Sequence, residues 1–177
     1  MKNSHIQLKM LAKTSIAMLC VGVALTLTDA TAQGIKKIDK TKLVGSWTLV
    51  SINNTLPDGK TMQGFGSNDG VVVFEANGKF VQALARSDLP KFASNNRSTG
   101  SPDENKAVIQ GSLTLFGTYT ATDDGALTLH MERSTFPNWN GTDQKRTITS
   151  LTANELKWHN PAATIGGTTD TVWKRTQ

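Results

Sequence analysis

Between Leu43 and Lys174 the chain is a succession of short β-rich runs separated by turn signals, and that rhythm leaves few folds open. Its sharpest instance is Asn77-Gly78. This dipeptide favours the two-residue turn whose twist matches the strands it joins. Val71-Val72-Val73-Phe74 precedes it, and Lys79 to Arg86 follows, with Phe80, Gln82, Leu84 and Arg86 on one face and Val81, Ala83 and Ala85 on the other. The two runs are expected to pair antiparallel.

The same pattern extends in both directions. Leu43 to Ile52 is rich in β-branched and aromatic residues and ends before the turn Pro57-Asp58-Gly59. Gly64 to Gly70 reads as a glycine-rich connection. Ser87 to Gly100 is polar and irregular, and Ser101-Pro102-Asp103-Glu104 then carries the marks of a helix start: a serine cap, proline at the first helical position and acids in the first turn. That helix is expected to end near Gly111. Strands resume over Ser112 to Thr122, Ala126 to Arg133, Arg146 to Leu151, Glu155 to His159 and Thr171 to Lys174. The expected class is all-β, with roughly eight antiparallel strands and one short helical insertion. Closure into a barrel is favoured over a sandwich, because closure removes exposed edges and the Cys…Trp…Cys core of immunoglobulin-like sandwiches is absent.

The first residues read differently. Lys2, Lys9 and Lys13 precede an apolar run from Ile16 to Leu27, and Ala30-Thr31-Ala32 gives a small-x-small cleavage pattern. Residues 1–32 are therefore expected to be a signal peptide, 33–42 a flexible lead-in and 43–177 the barrel domain, with the protein exported to a periplasmic or secreted location. The apolar run is shorter than the roughly 18 residues a membrane span needs, so no stable membrane anchor is expected. Leu19 before Cys20 argues against lipidation. Cys20 is the one cysteine, so the chain beyond residue 32 has no thiol for a disulfide, a metal or a nucleophile. Removing Lys2, Lys9, Lys13 and Asp29 lowers the formal charge from +5 to +3. Lys36, Lys37, Lys40 and Lys42 form the one basic cluster, in the lead-in, and a mild, dispersed charge of this kind does not suit a nucleic-acid binder.

His130 to Arg146, HMERSTFPNWNGTDQKR, is the stretch with most chemistry. A strand bearing Thr128, His130 and Glu132 on one face breaks at Phe136-Pro137, turns through Asn138-Trp139-Asn140-Gly141 and resumes at Thr142. Proline fixes its own φ and Asn-Gly supplies a positive-φ turn, so the loop is expected to be rigid, with Phe136 and Trp139 at the rim of a small-molecule pocket. His130 is a candidate hydrogen-bonding or acid/base group facing the cavity. Arg146 offers a planar fork of donors for a carboxylate or carbonyl, and Tyr119 a hydroxyl inside the barrel. The expected ligand-binding set is Tyr119, His130, Phe136, Trp139 and Arg146, against the plain alternatives of an exposed histidine, an exposed strand arginine and a core tyrosine. Only His130 and His159 remain beyond residue 32, so no zinc or copper site is expected. No phosphate loop, dinucleotide fingerprint or G-x-S-x-G nucleophile occurs, and no cofactor is expected.

Gly45-Ser46-Trp47 on the first strand resembles the opening of lipocalins and their calycin relatives. There the tryptophan plugs the closed end of the barrel beneath a basic side chain from the last strand, a role the resemblance gives to Arg175, or to Lys174 beside it, over Trp47. Four blocks in order, LVGSWTLVS, RSDLPKFAS, PDENKAVIQGSLTLFGTY and SxFPNWxGTxQxR, resemble the bacterial and fungal lipocalin-like domain family. The resemblance implies a barrel with an internal cavity, Gly45, Trp47 and Arg175 as structural residues, and a small, apolar or amphipathic partner. An enzyme of the same fold, an isomerase, cyclase or hydrolase, is the alternative, and it requires His130, Tyr119, Arg146 and Glu132 to converge.

Overall fold

A computed structural model describes residues 37–177, and the expected signal peptide lies outside them. The elements follow in order: β1 (Gly45–Thr55), β2 (Thr61–Phe65), β3 (Gly70–Phe74), β4 (Lys79–Ala85), α1 (Pro102–Gly111), β5 (Ser112–Ala121), β6 (Ala126–Ser134), β7 (Asp143–Leu151), β8 (Glu155–Asn160) and β9 (Thr168–Arg175). Every pairing is antiparallel, and β9 returns to pair with β1 from Trp47↔Arg175 to Thr55↔Thr168. Eight strands therefore close a barrel.

The ninth, β2, is the strand missing from the sequence reading. It pairs only with the end of β1, Ile52 to Thr55, while β3 pairs with the beginning, Gly45 to Thr48. The two lie end to end on one edge of β1, divided at Gly66 to Asp69, where Asn68 has φ +66 and its N–H still donates to Leu49 O at 2.9 Å. Thr61-Met62-Gln63 is too exposed to show an apolar stripe.

Register shifts decide which side chains face inward. Trp47 and Leu49 are buried, the β1–β9 register slips between Leu49 and Ser51, and Ile52 and Asn54 become the buried residues beyond it. An inserted residue reverses the alternation, as a bulge does.

Arg175 seals one end. Its guanidinium carbon stands 3.7 Å above the Trp47 ring, and its nitrogens donate to Val44 O (2.8 Å), Lys42 O (2.6 Å) and Ala153 O (3.1 Å). Trp47 is fully buried and its Nε1 donates to Leu43 O at 2.9 Å. Gly45 adopts φ +122, and a Cβ there would stand 2.6 Å from Arg175 Nη1, so the tight approach of cation to backbone requires glycine. Lys174, the other basic residue of the last strand, is exposed. The end of the 33–42 lead-in is folded against the barrel. Lys40–Leu43 forms a 3-10 turn capped by Asp39, Ile38 packs on the core, and Ile38 N donates to Asp123 O at 2.8 Å. Arg175 holds this segment down by its carbonyls.

Above that seal, Phe74, Trp158 and Trp173 fill the lower barrel, with ring centroids 6.3 Å (Phe74–Trp158) and 5.2 Å (Trp158–Trp173) apart. The helix forms as its sequence dictates. Ser101 and Glu104 cap each other's backbone N–H groups, Pro102 opens the first turn, and the second Glu104 oxygen accepts from Ala93 N at 2.8 Å. That last bond ties the irregular 87–100 segment to α1 beside the open end.

Candidate functional site

The upper barrel encloses a cavity of about 550 Å³ that opens at the end opposite Arg175. Trp158 lies at its floor, and Ile52, Leu84, Leu115, Leu129 and Met131 line its walls. Met62, Ile109, Phe136 and Ile165 stand around the mouth with large exposed fractions.

One arc of the wall is polar. Strand pairing places Asn160 opposite Thr169 and Thr169 opposite Asn54, and Arg146 joins the arc by donating from Nη1 to Asn160 Oδ1 at 3.0 Å. The same Asn160 oxygen accepts from Ala162 N at 3.2 Å, and Thr169 Oγ1 donates to Asn54 Oδ1 at 2.9 Å. Asn54, Asn160, Thr169 and Thr171 are all buried, as is Gln82 across the cavity. Each is in phase with core residues on its own strand: Gln82 with Phe80 and Leu84, Asn160 with Leu156 and Trp158, Thr171 with Trp173. A polar residue in the apolar phase of a strand marks Gln82, Asn160 and Thr171 in the sequence, whereas Asn54 lies beyond the register slip of β1.

Arg146 is a half-buried cation without an anion. Among the described residues it forms no ion pair, and its protein partners are Lys145 O (2.7 Å) and Asn160. Burial away from water disfavours its charge and pulls its pKa below the ordinary arginine range, to about 10. Arg86 at the lip differs, because Asp88 pairs with it and pushes its pKa up.

The predicted set divides. Phe136 and Trp139 meet edge to face at 5.6 Å on the rim, and both line the cavity together with Arg146. The loop that carries them is fixed by its own backbone: Asn140 Oδ1 accepts from Ser134 N (2.8 Å), Gly141 N donates to Met131 O (2.7 Å), and Gly141 sits at φ +74. His130 does not line the cavity. Leu127, Leu129 and Met131 are the inward residues of β6, so His130 points outward and its Nδ1 lies 2.7 Å from Asp143 Oδ1. Tyr119 belongs to the closed half, packing edge-on against Phe74 at 4.9 Å and donating to Glu75 O at 2.9 Å. Glu132 is also outside, paired with Lys79 at 2.6 Å. The four groups an enzyme of this design would converge are thus divided among the outer face, the closed half and the cavity.

The lipocalin-like domain model matches residues 44–176, which span the whole barrel from β1 to β9. The chain belongs to the lipocalin-like domain family. No curated protein matches this lipocalin-like chain. Among solved structures it is similar to a lipocalin-like protein from Bacteroides uniformis (15% identity, 76% of this chain and 99% of that one, TM-score 0.44). It is also similar to a redesigned β-barrel (13% identity, 77% and 94%, TM-score 0.40). A third is bovine odorant binding protein complexed with its natural ligand (18% identity, 80% and 76%, TM-score 0.39). Likeness at this level says nothing about what this lipocalin-like barrel binds.

Proposed function

We propose that this lipocalin-like chain is an exported binding protein that holds one small, apolar or amphipathic molecule inside its barrel. The observation that carries the reading is the open cavity itself. Its 550 Å³ falls within the roughly 300–1,000 Å³ of small-molecule sites, and its lining combines a continuous apolar wall with a few convergent polar groups. The rigid Phe136–Trp139 rim supports the same reading, since a hydrogen-bonded loop presents its aromatic rings at little entropic cost. Export is proposed from the basic, apolar and small-residue pattern of residues 1–32.

Native mass spectrometry of the protein recovered from its exported compartment tests both parts. The expected result is a chain beginning near Gln33 with a reproducible excess mass that is lost on denaturation. Protein that is retained in the cytoplasm with residues 1–32 intact refutes export. Protein that is always empty, and that takes up no apolar fluorophore, refutes the binding role.

A further inference from the structure

The hydrogen bonds of the polar arc leave a one-sided remainder. Asn160 Oδ1 is occupied twice, by Arg146 Nη1 and Ala162 N, and that pair of donors fixes which way its amide is turned. Asn54 Oδ1 is occupied by the Thr169 hydroxyl. Among the described residues no hydrogen bond engages Asn160 Nδ2, Asn54 Nδ2, or Nε and Nη2 of Arg146. Both amide oxygens of the arc are engaged internally, while both amide nitrogens and two of the guanidinium nitrogens are left over. A wall of spare donors built around an unpaired guanidinium suits a group that only accepts and that carries negative charge.

We infer that the ligand bears a carboxylate, held by the free N–H groups of Arg146 with the amides of Asn160 and Asn54, while its apolar body lies against Leu84, Leu115, Leu129 and Met131. The inference rests on the binding role proposed above and names the chemical class of the molecule bound. Charge count selects carboxylate over phosphate. Among the described residues Arg146 is the one cation on the cavity wall without a counter-ion, Arg86 at the lip being held by Asp88, and a single guanidinium fork matches a singly charged planar acid. Gln82, buried with no hydrogen bond of its own among the described residues, leaves room for a second polar group on the ligand.

The test is displacement of the neutral fluorophore phenylnaphthylamine from the delipidated barrel by dodecanoate, dodecanol and dodecylamine, three molecules that differ only at the head. Dodecanoate is expected to displace the probe at a concentration about tenfold or more below dodecanol, the advantage of a charge-assisted hydrogen bond, and dodecylamine to be weakest. Arg146→Met is expected to bring the dodecanoate-to-dodecanol ratio towards one. Asn160→Asp supplies an internal carboxylate while keeping the arginine, and is expected to do the same, so the result does not depend on one variant's folding. Equal competition by acid and alcohol in the wild type overturns the carboxylate and leaves the binding role standing. A preference that survives both substitutions overturns its assignment to Arg146. Failure of the probe and of all three competitors to bind overturns the binding role, and this inference with it.

Discussion

An unliganded barrel should become more stable when Arg146 is replaced by methionine. Arg146 is charged at neutral pH although burial lowers its pKa by between two and three units, to about 10. At about 1.4 kcal/mol per unit, holding that charge costs roughly 3 kcal/mol relative to the unfolded chain. The two bonds it makes, to Lys145 O and Asn160 Oδ1, return about 1–2 kcal/mol. Methionine keeps much of the length and removes the charge, and Asn160 Oδ1 keeps its bond from Ala162 N. The net expectation is a gain of about 1–2 kcal/mol, or a Tm higher by about 3–6 °C for a chain of this size. Thermal unfolding of delipidated wild type and variant, followed by circular dichroism, measures it. Dodecanoate at a hundred times its Kd should then add about 2.7 kcal/mol to the wild type and markedly less to the variant, so the order of stability inverts. The sign also appears in pH. A cation with a depressed folded pKa is protonated more in the unfolded chain, so the wild type should gain on the variant as pH rises through about 10. A Tm that falls by several degrees in the unliganded variant would refute the reasoning, and would make Arg146 a structural tie between β7 and β8.

Gly45→Ala forces a Cβ to within 2.6 Å of Arg175 Nη1 at φ +122, and should lower stability by about 2–3 kcal/mol in denaturant titration; a shift below half of that would mean the seal relaxes freely. His130→Ala should leave phenylnaphthylamine affinity unchanged and move Tm by less than about 2 °C, because its partner Asp143 is on the solvent side of the barrel; a change in affinity would place His130 at the cavity after all. Trp139→Ala should weaken probe binding about tenfold by removing rim area, and an unchanged dissociation constant would free the loop from the binding role. Glu104 has its pKa lowered by the N–H groups of Ala93 and Ser101, so its contribution is present above the ordinary 4.5 of a glutamate and is lost as pH falls through the folded value. Wild type should therefore resist trypsin at Lys91 and Arg97 better than Glu104→Gln at neutral pH; equal rates of cleavage would refute that role.

The barrel was legible because its determinants are local. Asn77-Gly78, Pro57-Asp58-Gly59 and the Ser101-Pro102 helix start each act within a few residues, and all form where expected. The site was legible only in part, because facing is set by register, which depends on non-local pairing. Phe136, Trp139 and Arg146 were singled out from their side chains alone, and all three line the cavity. His130 was placed inward because it sits beside the rim in sequence, although the apolar set Leu127, Leu129 and Met131 claims the other phase of β6. Asn54 was hidden by the shift between Leu49 and Ser51, since alternation counted from Trp47 would turn Asn53 inward in its place. Nothing in the sequence marks such a slip.

The break at Gly66 to Asp69 gives the two ends of the barrel different mechanics. Below it, every strand has a partner on both edges, so the wall around Trp47 and Trp173 is a continuous hoop of hydrogen bonds. Above it, among the described residues, β2 is bonded to β1 alone and its other edge faces no strand, so the collar near the mouth is slit along one side. A slit collar on a rigid cup can spread by bending β2 outward, at the expense of few bonds and without disturbing the hoop. On the binding role proposed above, such a collar would admit molecules of differing girth while the depth of the cavity stays fixed.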